Sequence, residues 1–443
     1  MKKLLILLLF IPLTSFGKFN SDSFYHLNEE LKNSLWEQEG YDRILKIDDS
    51  EYIYFNKDNF SCPELVKGDF KSRFKIVYHK DDLLILNAGG IVDYRFKRIA
   101  ETNKICNGER KEKNNSYLLN FNSFWQTFDR NYAFFKERNI NWGEIYNEYL
   151  PKLKTVKTDS AFGILLKDIV NRFNDGHIRL ELPESSKSQT FNNPYSKADI
   201  LNNITSKYLT NSYQYNDGLV RWGVTTNKDI GYIGITDMNG FSNEKESSQP
   251  LEEFENEIKG VEFIMNKILE DLNSTTSIII DLRFNGGGYD TVSLKLLSYF
   301  VDEKKHILSI KAKTKNGFTP EQKYYLQPSK ISTKKVYLLT SPFSSSATEI
   351  FVLGSLSFDN FTRLGSRTNG IFSEILWKQL PNGWEYSLSN EVFMDTNNNS
   401  YEGVGIDVDI DVDYSKNKKI FYSSFFNSDI FSDKLINEII KSN

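Results

Sequence analysis

Apolar residues change their spacing twice along the chain before settling into a strand-and-helix alternation. From residue 18 to about 115 they occur in short β-branched and aromatic runs such as Glu51–Asn56, Phe74–Tyr78 and Leu83–Leu86, separated by Asp-Asp and Gly-Gly turns. Successive side chains of a strand point to opposite faces, so this pattern predicts a small β domain over 18–115. From Leu118 the period lengthens: Phe121, Phe124, Trp125 and Phe128, then Phe162, Leu165, Leu166, Ile169, Val170 and Phe173, fall three and four apart. Such spacing gathers them on one side of amphipathic helices. Pro151 and the polar run 157–160 separate the helices, and Thr158 or Asp159 is placed to cap the second. A helical subdomain is expected over 116–184.

Residues 185–229 are Asn- and Ser-rich without a strong period, and are expected to form a linker or loop able to move over a site. Beyond them come a strand Ile230–Ile235, a helix Leu251–Leu272, an apolar strand Ser277–Leu282, a glycine cluster and a helix Thr291–Val301. An extended run from Ile307, a strand Val336–Leu339 and a helix Ala347–Leu356 follow. Repeated β-then-α units predict an α/β core over 230–443, a parallel sheet covered by helices.

Composition narrows the class. In 443 residues, 39% are hydrophobic and 14% aromatic, enough to bury a core and to exclude wholesale disorder. A formal net charge of -4 gives no reason to expect nucleic acid or an anionic membrane as partner. Residues 1–17 differ from the rest: Lys2 and Lys3 precede an apolar run Leu4–Leu13 that ends in Ser15-Phe16-Gly17, the order of a signal peptide. The run is shorter than the roughly 20 residues a membrane-spanning helix needs, and Pro12 interrupts it. No later stretch qualifies, and no Cys follows the run to carry a lipid, so a chain exported to the periplasm or the medium, with no integral membrane segment after cleavage, is expected. In such a compartment Cys62 and Cys106 are expected to pair as a disulfide, two buried thiols being the alternative.

Four local motifs carry chemistry. Ser344-Ser345-Ser346-Ala347-Thr348-Glu349 lies between a strand and an apolar helix. Backbone amides and the positive end of the helix dipole favour an oxyanion there, although Ser346 with Glu349 also reads as a capping box. Asp281-Leu282-Arg283-Phe284-Asn285-Gly286-Gly287-Gly288 follows a buried strand; its glycines admit close backbone approach, while G-x-G-x-x-G and G-K-[ST] phosphate signatures are absent. A tight turn is its plainer reading. Asp175-Gly176-His177 holds one of four histidines, a base of near-neutral pKa or a structural residue. Tyr401-Glu402-Gly403-Val404-Gly405 offers a carboxylate able to orient a histidine, or simply a turn acid. Asp395, Asn397 and Asn399 lack the Gly and Glu of a calcium loop, and Asp407, Asp409 and Asp411 alternate with apolar residues as one solvated strand face does. No metal or cofactor is expected.

In this order the motifs resemble the tail-specific and C-terminal-processing family of serine peptidases, which includes the tricorn core peptidase. The resemblance runs from about Tyr117 through Tyr132, Asn141-Trp142, Tyr232-Ile233-Gly234-Ile235, Gly365, Thr368, Gly370 and Leu380-Pro381-Asn382-Gly383 to Asp409, about two thirds of the chain. It implies a core of the crotonase and Clp-protease kind built from ββα units. Ser346 would then be the nucleophile, His177 the base and Glu402 the acid that orients it, with the amides of Ala347 and of Gly287 or Gly288 as oxyanion hole and a peptide or protein as substrate. The Ser-Lys branch keeps a lysine after Gly365-x-x-Thr368, where this chain has Asn369-Gly370-Ile371-Phe372; Lys378 is the nearest substitute. Residues 185–229 are too short for the PDZ module of that branch, Gly176 replaces a serine found in tricorn, and Val408 replaces a common proline. A binding protein for an apolar ligand or peptide on the same fold is the main alternative, and a Ser-Lys processing peptidase or an acyl-CoA enzyme are others.

Overall fold

The structure, a computed structural model, describes residues 30–100, 116–182, 196–244, 247, 249–330, 332–426 and 433–442. The expected signal peptide, Cys106 and residues 183–195 of the expected linker lie outside these, so the Cys62–Cys106 pairing does too.

The first quarter forms a seven-stranded sheet in which every pair is antiparallel. Period-2 alternation turns Trp36, Leu45, Ile47, Leu84, Leu86 and Phe96 to one face, where Phe70 and Phe74 close a small core. Three helices follow, Tyr117–Asn131, Trp142–Leu153 and Asp159–Val170, with Ser116, Asn141 and Thr158 each accepting from a first-turn amide. Their apolar stripes meet in an aromatic core of Phe121, Phe124, Phe128, Tyr132, Trp142 and Phe173, packed on Tyr386 and Leu388 of the strand Glu385–Ser389.

The reading of 185–229 as a linker or loop is corrected beyond residue 195. Lys197–Tyr208 is a helix opened by a capping box of Ser196 and Asp199, and it buries Ile200, Leu201, Ile204 and Tyr208 at three-and-four spacing. Val220–Val224 is a strand paired with Ile230–Ile235, and Tyr213–Tyr215 a strand paired with Val220–Val224, so the core sheet begins before residue 230. Four apolar positions among Asn, Thr and Lys are too few to stand out in a polar window, yet they suffice once a sheet is there to receive them.

That sheet has seven strands. Ile230–Ile235, Ser277–Asp281, Lys335–Thr340, Phe361–Gly365 and the short Ile410–Asp411 run parallel, with the two earlier strands antiparallel at one edge. Ile278, Ile280, Val336 and Leu338 face the helices Pro250–Asp271, Asp290–Leu297 and Ala347–Ser355; Ile279, Tyr337 and Leu339 face Lys197–Tyr208 and the C-terminal helices. Burial on both faces is why these strands read as continuous apolar runs. Only residues 410 and 411 of the expected acidic strand are extended; Asp407 and Asp409 pair instead with Arg367 and Arg363. Asp395 accepts from the amides of Asn397 and Asn399, which makes a turn, and no cluster of three metal-ligating His, Cys, Asp or Glu occurs among the described residues.

Three parallel strands deliver the chemistry-bearing loops at their C-terminal ends, where open α/β sheets place their crevices. Ser277–Asp281 leads into the glycine cluster, Lys335–Thr340 into the serine run, and Phe361–Gly365 into residues 366–373.

The N-terminal sheet is joined to the core by the strand Ile375–Gln379. Arg43 donates to the Trp377 carbonyl (2.9 Å), Asn56 to that of Gln379 (3.1 Å), and the buried Lys378 Nζ to those of Tyr41 (2.5 Å) and Asp42 (3.1 Å). Burial, opposed by Asp42, lowers the Lys378 pKa to about 7. Between pH 7 and 10.5 the unfolded chain therefore binds more protons at this site than the folded one, so the contribution of Lys378 to stability grows with pH over that window and is lost as pH falls through about 7. The unfolding free energy of wild type relative to Lys378→Met should rise between pH 7 and 10 in urea titrations; a pH-independent difference would refute the assignment.

Candidate active site

Ser346 precedes the helix Ala347–Ser355 with φ 56 and ψ -129. Positive φ is costly for a residue with a Cβ, on the order of 1–3 kcal/mol, and such strain persists only where surroundings impose it. Here they do. Ser344 is buried and donates to the Leu282 carbonyl (2.8 Å), Ser345 donates to that of Gly286 (3.0 Å), and the Ser346 amide donates to that of Ile371 (3.0 Å). The three serines thus divide: two tie the turn to the glycine cluster, and the third sits half-buried at its crest.

Glu349 braces the same turn. Its Oε1 accepts from the Gly370 amide (2.7 Å), and its Oε2 from those of Ile371 (2.8 Å) and Ser346 (3.3 Å). Burial pushes its pKa up to about 7 against the pull of these donors. The Ser346–Glu349 pair is therefore more than a helix cap, because the carboxylate also holds a loop that lies over twenty residues away in sequence.

Asn285 joins the glycine cluster to this helix. Fully buried, it accepts on Oδ1 from Thr348 Oγ1 (2.6 Å) and from the Gly287 amide (3.0 Å). The second bond engages the Gly287 amide, which of the two expected alternatives leaves Gly288 to accompany Ala347. Among the described residues the amides of Gly288 and Ala347 make no hydrogen bond. Gly287 has φ 110, and a Cβ there would lie 2.7 Å from Ser346 Cβ and 3.2 Å from Ala347 N, so the glycine is required for the two loops to approach.

His177 is buried, its turn set by its own amide bonding Asp175 Oδ1 (2.9 Å) and by Ser387 Oγ bonding its carbonyl (2.7 Å). Burial lowers its pKa to about 4, with Asp175 and a hydrogen bond to the Ser373 backbone opposing and Arg179 and Arg138 reinforcing. Gly176 abuts Ile371: a Cβ at 176 would meet Ile371 Cδ1 at 2.6 Å, so any side chain there would be crowded.

Glu402 is buried as well. Its Oε2 accepts from the amides of Phe372 (2.7 Å) and Ser373 (3.2 Å), and its Oε1 pairs with Arg138 (2.7 Å). Burial, then the charge of Asp175, pushes its pKa up to about 8. No direct hydrogen bond joins Glu402 to His177, or His177 to Ser346, among the described residues. Ser346 and Glu402 nevertheless both bond the backbone of Gly370–Ser373, and Ser373 is among the groups that act on the His177 ring, whose buried Nδ1 has no hydrogen-bond partner among the described residues. Lys378, the nearest Ser-Lys substitute, bonds elsewhere: its Nζ donates to the carbonyls of Tyr41 and Asp42.

Sequence reasoning missed Arg138 and Asn285 as builders of this site, and it gave Asp175 no separate role. Arg138 lies in an ordinary charged loop, Lys136-Glu137-Arg138-Asn139, and carries no local signal.

Residues 229–412 match the model of peptidase family S41, and residues 114–171 that of the tricorn protease C1 domain. Among solved structures, one from Parabacteroides merdae ATCC 43184 is 23% identical, with TM-score 0.56 over 71% of this chain and 96% of that one. Mature CPAF complexed with lactacystin is 12% identical, with TM-score 0.51 over 74% and 99%. The photosystem II D1 C-terminal processing protease is 12% identical, with TM-score 0.45 over 73% and 98%. The first two establish a shared mixed α/β fold.

Gly287→Ala should lower unfolding free energy by about 1–3 kcal/mol, because φ and the Ser346 contact both oppose a Cβ. Urea unfolding at wild-type midpoint would show instead that the turn can shift without cost.

Proposed function

Because this chain belongs to peptidase family S41 and is a serine-type peptidase, we propose that it is exported and hydrolyses peptide bonds through an acyl-enzyme on Ser346. The observation that carries this reading is the Ser346 turn: a strained, half-buried serine at a helix N-terminus beside a glycine that admits no Cβ. In the proposed reaction His177 takes the Ser346 proton as Oγ attacks the scissile carbonyl carbon. The amides of Ala347 and Gly288 receive the oxyanion, and Gly287 serves by shape rather than by donating. The tetrahedral intermediate collapses as His177 protonates the leaving amine, and a water deprotonated by the same imidazole then hydrolyses the ester. Since catalytic hydrogen bonds often tighten only in the substrate complex, the reading requires the imidazole and hydroxyl to close on each other when a peptide binds. Glu402 acts in it by holding the Phe372 and Ser373 amides beside the His177 ring, rather than by touching the ring.

Export rests on the charged-then-apolar order of residues 1–17, and the Cys62–Cys106 disulfide belongs to the same proposal. No helix among the described residues is long and apolar enough to cross a membrane.

Ser346→Ala should lower kcat on a peptide substrate by roughly 10³-fold or more and abolish fluorophosphonate labelling, with folding nearly unchanged. Retained turnover would refute Ser346; failure of wild type to label, with lipid co-purifying, would favour the ligand-binding alternative. A base is active when unprotonated, so a His177 pKa lowered to about 4 predicts that kcat/KM holds as pH falls from 7 and drops only on approaching that value. An acid limb centred at or above the usual histidine value of about 6.5 would count against His177 in this environment.

A further inference from the structure

We propose that Arg138 is a positioning residue of this peptidase, a clamp from the helical subdomain that sets the His177 turn, the Gly370 loop and Glu402 in one register. The inference rests on the function proposed above and adds a residue to it. Arg138 lies between the helices Tyr117–Asn131 and Trp142–Leu153, remote in sequence from every motif that suggested a peptidase. Its Nη1 donates to the Asn174 carbonyl (2.5 Å), one residue before the Asp-Gly-His motif. Its Nη2 donates both to the Gly370 carbonyl (3.2 Å) and to Glu402 Oε1 (2.7 Å). Its stem packs on Gly403, where a Cβ would lie 3.4 Å from Nε. Both members of the ion pair are nearly buried, with side-chain exposures of 8% and 1%.

A planar, permanently charged fork can hold three acceptors at fixed angles, whereas an ammonium on a flexible stem cannot match all three. The groups facing this cluster come from several elements. Asp175, Arg179 and Arg138 act on His177; Asp175 and Arg138 act on Glu402; Asp175, Glu402 and Tyr132 act on Arg138. Tyr132, whose hydroxyl donates to Asp175 Oδ2 (3.0 Å), completes the cluster. Glu402 is thus paired with the arginine directly, Asp175 is held by Tyr132, Ser389 and the His177 amide and feels its charge, and the imidazole feels it too.

This gives Arg138 a signature that mere stability would not. Arg138→Gln and Arg138→Lys should be compared with wild type in the full chain, by kcat and KM on a fluorogenic peptide, by the pH dependence of fluorophosphonate labelling, and by thermal unfolding. Losing the positive charge removes an influence that lowers the His177 pKa, so the acid limb of labelling should move to higher pH in Arg138→Gln. Its kcat should fall about 10²-fold, as positioning losses do, with KM changed far less. Arg138→Lys should return the acid limb to its wild-type position while recovering kcat only in part. The proposal is overturned if labelling and kcat in Arg138→Gln decline only in step with the folded fraction and the acid limb stays put. Should Arg138→Gln fail to fold, an Arg138→Lys protein with wild-type kcat overturns it equally. Wild-type protein that neither labels nor cleaves would overturn the function reading and this inference together, whereas an active wild type with an indifferent Arg138 overturns this one alone.

Discussion

Four consecutive amides, those of Gly370, Ile371, Phe372 and Ser373, are held by two buried carboxylates, and the geometry of the candidate site depends on that arrangement. Glu349 takes the first two and Glu402 the last two. A loop this deep in the protein must satisfy its backbone donors, and a carboxylate satisfies two at once with charge-assisted bonds. The carbonyl side of the same segment is committed as well: Ile371 accepts from the Ser346 amide and Gly370 from Arg138, while the Ser373 backbone acts on the His177 ring. Serine, histidine and both glutamates are thereby referred to one strip of backbone rather than to each other.

The carboxylates are themselves under tension. Burial drives both toward the neutral form, with pKa values near 7 for Glu349 and 8 for Glu402, while the amides and Arg138 favour the charged form. A buried acid in that balance is sensitive to small changes in its surroundings. The scaffold limits such changes. Arg283, wholly buried, pairs with Asp281 at the end of its strand and with Asp433 at the start of the last helix, and Asn285 stitches the glycine cluster to Thr348. Removing one partner from a buried pair of this kind leaves an uncompensated charge, so the loops above it inherit a rigid base. The helical subdomain acts in the same sense from the other side, since it contributes both the His177 turn and Arg138.

The architecture was largely legible because its signals are periodic. Alternation marked the first sheet, three-and-four spacing marked the helices ending near Phe173, and continuous apolar runs marked the parallel strands. Where the period was carried by only four apolar residues in a polar window, at Lys197–Tyr208, it was invisible, since burial there depends on a sheet assembled from elsewhere. The acidic alternation at Asp407–Asp411 was legible but misleading: pairing with Arg363 and Arg367 from elsewhere in the chain explains two of its carboxylates without a long strand.

By itself the sequence determined most of the elements, their order, and the two turns whose chemistry is local: the serine before an apolar helix and the triple glycine after a buried strand. Conformational demands on a few adjacent residues can be read from those residues. Which groups meet across long separations was decided only by the tertiary structure. Glu402 pairs with Arg138 across 264 positions, Lys378 spends its charge on carbonyls 337 and 336 positions away, and the Gly287 amide turns inward to Asn285 rather than toward a substrate. Ion pairs and amide-to-carboxylate bonds leave no periodic trace in a chain; they depend on distance and burial, and those exist only once the layers have packed.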